Sequence, residues 1–189
     1  SELAKTRLDY DRFNMWSKRH EELVPEAAPA MAQISGSNAS DWKALSLGSV
    51  YLTRAEMQLT VHDVQLGIDS AVEAAKAVRP ARESRRVGRI AQMVYMRSLL
   101  LAAYGMGQAG ERERALKLAD QAERLLPDLT QIQFGDTLLL GLTGSQAPPQ
   151  AQQQLAPLIQ AANEVGEPLI DCFLRQWLCA VYFETGEDA

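Results

Sequence analysis

The chain has 189 residues, of which 47% are hydrophobic and 23% charged, and its formal net charge is −5. Those values fit one globular domain or one repeat array long enough to bury a core. The acidic balance weighs against direct nucleic-acid binding, and no run of about 18 apolar residues marks a membrane span.

Alanine and leucine far outnumber valine and isoleucine, which leans the chain to an all-α fold. The first segment, Glu2 to Val24, places Leu3, Leu8, Phe13, Trp16 and Leu23 at amphipathic helical spacing. Pro25 and Pro29 should interrupt it and leave a short helix over Glu26 to Ile34. The cluster "SGSNASD", Ser35 to Asp41, is a turn, with Ser40 or Asp41 as N-cap of the next helix. Helices are then expected from Trp42 to about Val61, from Asp63 to a stop at Pro80, from Arg82 to about Gln108, and from Glu111 to Leu126, which Pro127 ends. Further helical stretches follow over Thr130 to Thr143, Gln150 to Val165 and Pro168 to Glu184.

Two patterns with chemical overtones need weighing. "YGMGQAG" carries Gly105, Gly107 and Gly110 in the G-x-G-x-x-G spacing of a dinucleotide-binding turn, and Asp128 follows at a ribose-contact distance. That fingerprint works only after a strand, and here a helical period precedes it, so the glycines read as the turn of a helical hairpin. Cys172 and Cys179 lie two helical turns apart, too far to bridge within one helix and outside the usual metal-pair spacing. His20 and His62 are isolated, and no Ser/His/Asp set, H-E-x-x-H or Walker loop is visible. The reading is therefore non-catalytic, with no catalytic residue, no metal site and no cofactor.

The helices come in pairs. From Leu99 to Pro127 the order is Leu99, Ala102, Ala103, Met106, a Gly110 turn, then Ala115, Ala119, Ala122 and Pro127. This resembles a tetratricopeptide repeat: a large residue, a large-small pair three on, a large residue a turn later, and a second helix with small residues every three or four positions. Weaker copies are carried by Ala44, Leu47, Gly48 and Tyr51 with Ala71, Ala74, Ala75 and Pro80, and by Leu178, Cys179 and Tyr182. The resemblance implies antiparallel helix pairs stacked into a right-handed superhelix, with residues 1–40 as a helical segment that caps or fills the groove and 41–189 as the repeat domain.

Such a solenoid binds through a concave groove lined by first helices. The stripe there would be Trp42, Leu45, Ser49 and Leu52, then Arg97, Leu100, Tyr104 and Gln108, then Phe173, Gln176, Ala180 and Phe183. Its mix of aromatics, leucines and one arginine suits an apolar or amphipathic peptide with an acidic anchor. The competing reading has a terminal helix in the groove, with Phe13 and Trp16 as fillers. A second feature is "RPARESRRVGR", with Arg79, Arg82, Arg85, Arg86 and Arg89 against Glu83 alone. It reads either as a patch for an anion or acidic partner, or as a solvated helix start paired with the acidic helix Glu111 to Glu123. Arginines at a helix N-terminus would oppose its dipole.

The expectation is a protein- or peptide-binding adaptor or scaffold with an acidic or amphipathic partner and a capacity for homo-oligomers. The segments "LTRAEMQLTVHDVQLGIDSAVEAAKAVRPARESRRV" and "LIQAANEVGEPLIDCFLRQWLCAVYFETG" are also similar to helical-repeat regions of large bacterial transcriptional regulators. That resemblance implies a sensor or oligomerisation part beside other domains. A small-molecule-binding or enzymatic helical domain is the third class. A cytoplasmic location is expected, or a periplasmic one if an N-terminal signal was removed.

Overall fold

The computed structural model describes residues 2–125 together with Val181 and Thr185. The expected helices after Pro127, the two cysteines, and the stripe residues Phe173, Gln176, Ala180 and Phe183 lie outside the described residues. Among those described, the structure is all helical. α1 covers Glu2–Ser35, α2 Ala39–Thr60, α3 Val64–Val78, α4 Gly88–Gln108 and α5 Arg112–Glu123. A five-residue 3-10 turn, Arg79–Glu83, joins α3 to the loop before α4.

α1 departs from expectation. It is one 34-residue helix that runs through Pro25 and Pro29. Each proline lacks the N–H that would donate to the carbonyl four residues back. Their spacing of four puts both on the exposed side of α1, where water can reach the freed carbonyls of Glu21 and Pro25. Ser17, Val24, Ala28 and Ala32 form the buried stripe, and it faces α2. The α1–α2 contact is locked by polar groups. Arg54 donates from Nε to Ser17 Oγ at 3.0 Å and from Nη2 to Glu21 Oε2 at 2.8 Å, and Tyr51 Oη donates to Glu21 Oε1 at 2.6 Å. Burial works to raise the Glu21 carboxyl, but the hydrogen bonds from Tyr51 and Arg54 and the charges of Arg54 and Lys18 hold it below the ordinary value. Burial together with that carboxylate pushes the Tyr51 hydroxyl up to about 12.

The N-cap of α2 is Asn38, not Ser40 or Asp41. Its Oδ1 accepts the Asp41 backbone N–H at 2.7 Å, and Ser40 Oγ donates to the same oxygen. Three helices end alike. Gly36, His62 and Gly110 have φ of 65°, 61° and 78°, and the next N–H returns to the carbonyl five residues earlier: Ser37 to Ala32, Asp63 to Gln58, and Glu111 to Met106. These are Schellman closures. Gly105 and Gly107 sit inside α4 and only Gly110 makes the turn, so the glycine fingerprint is a helix C-terminus followed by a second helix.

α2 packs on α3, α3 on α4, α4 on α5, and α2 also touches α4. α4 is the central helix, buried on nearly every side from Ala91 to Gly107. The core joins Leu45, Leu52, Ala55 and Leu59 of α2 to Ala71, Ala74 and Val78 of α3 and to Leu99, Leu100, Leu101 and Ala103 of α4, with Ala119, Ala122 and Val181. Small residues set the spacing: a Cβ on Gly48 would stand 2.7 Å from Val78 Cβ and 3.3 Å from the Ala74 carbonyl oxygen.

Candidate functional site

α4 begins at Gly88, later than the expected Arg82, which changes where the arginines stand. Arg79 and Arg82 belong to the 3-10 turn, Arg85 and Arg86 to the loop, and only Arg89 lies within the first turn of α4. Gly88 allows the tight junction, since a Cβ there would meet the Arg82 carbonyl oxygen at 2.6 Å. The opposition between arginine charge and helix dipole is thus confined to that first turn and the two residues before it.

Arg79, Arg85, Arg86 and Arg89 are exposed. The alternative of pairing with the acidic helix is not realised among the described residues. There Glu111, the N-cap of α5, pairs with Arg114, and Asp120 pairs with Arg124. Arg82 is the exception to exposure: its guanidinium lies over the Tyr95 ring, 4.1 Å from the centroid, and its buried Nε has no acceptor among the described residues.

Beside this cluster α3, α4 and α5 enclose a cleft of about 160 Å³. Its walls are Ala71, Val72, Ala75, Leu99, Ala102 and Leu118, with Ser98 and Tyr95 on one side and Lys76 and Arg79 at the edge. The alanines leave the space. Tyr95 is held in place because its hydroxyl accepts a hydrogen bond from Gln121 Nε2 at 3.0 Å, and Ser98 Oγ donates to the Val94 carbonyl at 2.6 Å. Lys76 Nζ is paired with Glu73 at 2.7 Å on the surface. The cleft is small against cofactor pockets, which run to several hundred Å³. It has room for one apolar side chain at the foot of a basic surface.

The expected groove stripe is placed differently along its length. Leu45 and Leu100 are core residues, 4% and 1% exposed, and Leu52 joins them at 6%. Trp42 and Tyr104 are half-buried against the same core. Ser49 Oγ donates to the Leu45 carbonyl at 2.9 Å, and Gln108 Nε2 donates to Tyr104 Oη at 2.9 Å. Arg97 is ion-paired with Glu56 across the α2–α4 contact, so its charge is already engaged. Burial raises the Glu56 carboxyl above its ordinary value despite Arg97 beside it. α1 docks on α2 through the side that carries Tyr51 and Arg54, and Trp16 remains 72% exposed. Neither Trp16 nor the half-buried Phe13 lies among the core packing of the stripe.

Lys76, Tyr95 and Gln121 escaped sequence reasoning. Tyr95 is separated from Arg82 by a helix start and from Gln121 by a whole hairpin, and no local spacing signals either contact. Among the described residues no group of His, Cys, Asp and Glu could hold a metal ion, and no helix is long and apolar enough to cross a membrane. In comparison with known proteins, no family model, no curated protein and no solved structure matches the chain.

Proposed function

We propose that this chain is a non-catalytic, tetratricopeptide-like helical-repeat module that serves as an adaptor or scaffold by binding an acidic, amphipathic segment of a protein partner. The observation that carries the reading is the apolar cleft rimmed by Lys76 and Arg79 beside a run of exposed arginines without acidic partners among the described residues. One apolar side chain of the partner fills the cleft and flanking carboxylates meet the guanidinium groups, which suit planar bidentate pairing. The succession of neighbouring helix contacts, the close approach at Gly48 and the Gly110 turn support the reading of antiparallel helix pairs; a right-handed stacking of those pairs is what the tetratricopeptide likeness implies.

The test is fluorescence anisotropy with a labelled peptide bearing one Leu flanked by Asp and Glu, set against its counterpart with Lys for each acid. The acidic peptide should bind, more weakly as salt rises. Arg79→Glu, which reverses the rim charge, and Ala75→Leu, which fills the cleft, should each weaken it by about tenfold, a change of about 1.4 kcal/mol. Equal binding of both peptides, or binding indifferent to both variants, sinks the reading.

An oligomerisation role is the second reading, and one observation favours it: α1 exposes Met15, Trp16 and Ile34 at 65%, 72% and 62%.

A further inference from the structure

Ser84 caps the turn that leads into α4. Its backbone is extended, with φ −64° and ψ 131°. Its carbonyl accepts the Gly88 N–H at 2.9 Å, and the Val87 N–H reaches its Oγ at 3.4 Å. Those are the bonds of an N-cap, so residues 85–89 already follow helical register. Arg89 is then one turn on from both Arg85 and Arg86, at steps of four and three. Side chains at those steps stand about 5–6 Å apart at Cβ. All three arginines are exposed, and none of them pairs with a carboxylate among the described residues.

The arrangement works against folding. Like charges at such steps repel, and the positive end of the α4 dipole lies beside them. An acid at any of the three positions would favour the helix. Local rules broken together at one exposed place mark a site rather than a structural device.

We infer that Arg85, Arg86 and Arg89 hold a phosphoryl group carried on a side chain of the acidic partner segment. The inference rests on the reading of the arginine-rimmed cleft as the site for that segment, and it names the group that the basic end selects. Charge and geometry favour phosphate over carboxylate. A carboxylate brings one charge and two oxygens, whereas a phosphomonoester brings about −1.5 to −2 at neutral pH and three strong acceptor oxygens. Three guanidinium forks can then share three oxygens, and the larger charge offsets both their mutual repulsion and their conflict with the dipole. The apolar cleft on the same edge makes the carrier a peptide. Arg79 rims the cleft, Tyr95 lines it, and Arg82, over the Tyr95 ring, sets its carbonyl against Gly88. The net charge of −5 disfavours a long polyanion such as nucleic acid. From Arg89 to Ser98 in the cleft wall is nine positions of α4, about 14 Å along its axis. An extended peptide covers that in about four residues. The phosphorylated residue therefore stands about four positions from the apolar anchor.

The experiment is fluorescence anisotropy on the whole 189-residue chain. The labelled peptides carry one Leu and, four positions before or after it, phosphoserine, glutamate or serine. In one of the two directions the phosphoserine peptide should bind about tenfold or more tighter than its serine counterpart, and also tighter than the glutamate one. Combining Arg85→Ala, Arg86→Ala and Arg89→Ala should bring the phosphoserine peptide down to the level of the serine peptide. The same triple variant should melt higher than the parent in chloride, since it removes the repulsion, and should lose the rise in midpoint that inorganic phosphate gives the parent at matched ionic strength. No gain from phosphoserine over glutamate in either direction, or a gain that survives in the triple variant, overturns the inference. The reading of the cleft still stands in that case if the glutamate peptide binds and is weakened by Arg79→Glu and Ala75→Leu. No binding by any of the peptides overturns both. Competition by a short single-stranded RNA as strong as by the phosphopeptide overturns the assignment to a protein partner.

Discussion

Replacing Gly48 by alanine should destabilise the protein, although the same change on an exposed helix stabilises it. In a helix interior, glycine to alanine gains about 1 kcal/mol in propensity. At Gly48 the added methyl would stand 2.7 Å from Val78 Cβ, whereas ordinary van der Waals contact begins at 3.4 Å, so α2 and α3 must part by 0.7 Å. Val78 cannot yield: it is fully buried, and the clash is with its Cβ rather than with the end of a flexible chain. Parting two packed helices by that much forfeits a quarter to a half of each contact's attraction. Overpacking of this kind costs about 1–3 kcal/mol, which leaves a net loss of up to about 2 kcal/mol after the propensity gain. Urea denaturation followed by circular dichroism measures it as a lower midpoint at unchanged slope. Gly48→Val should cost more than Gly48→Ala. A Gly48→Ala chain more stable than the parent by about the full propensity gain would refute the close approach of α2 and α3 and the spacing argument built on it.

The Arg97–Glu56 pair should respond asymmetrically. Arg97→Ala leaves the Glu56 carboxylate partly buried without its partner and should cost about 1–3 kcal/mol in urea denaturation, whereas Glu56→Gln should be close to neutral because burial already disfavours the charged form. Glu21→Gln should lose about 1 kcal/mol at neutral pH, the side chain being partly solvated. Because the folded-state value of Glu21 is depressed, its contribution is present above the unfolded carboxylate value and lost as pH falls through the folded one; the gap between parent and Glu21→Gln should therefore close in acid. At the helix ends, His62→Gly should raise stability by up to about 1 kcal/mol by removing a non-glycine residue from φ 61°, and Gly110→Ala should lower it by about the same amount; both are read from thermal midpoints.

The sequence by itself determined the helical content and most helix boundaries. Alanine-rich periodicity, the Gly110 turn and the breaks near residues 62 and 80 act within a few residues, and the physics they report is local. It also settled the glycine fingerprint, because the period ahead of Gly105 already declared a helix. Local rules failed where packing overrode them. Pro25 and Pro29 do not end α1, since their shared solvent face leaves the buried stripe free to hold the helix against α2. The start of α4 shifted to Gly88 because its junction with Arg82 depends on a backbone approach that no residue pattern records. The surfaces were the least legible part. Periodicity identifies which residues share a face but not which neighbour covers it. The stripe through Leu45 and Leu100 lies in the core, and Arg97 is engaged by Glu56. The arginine-rimmed cleft needed α3, α4 and α5 together, and the exposed apolar residues of α1, such as Trp16 and Ile34, could be told from its core-facing stripe only once α2 had taken the other side.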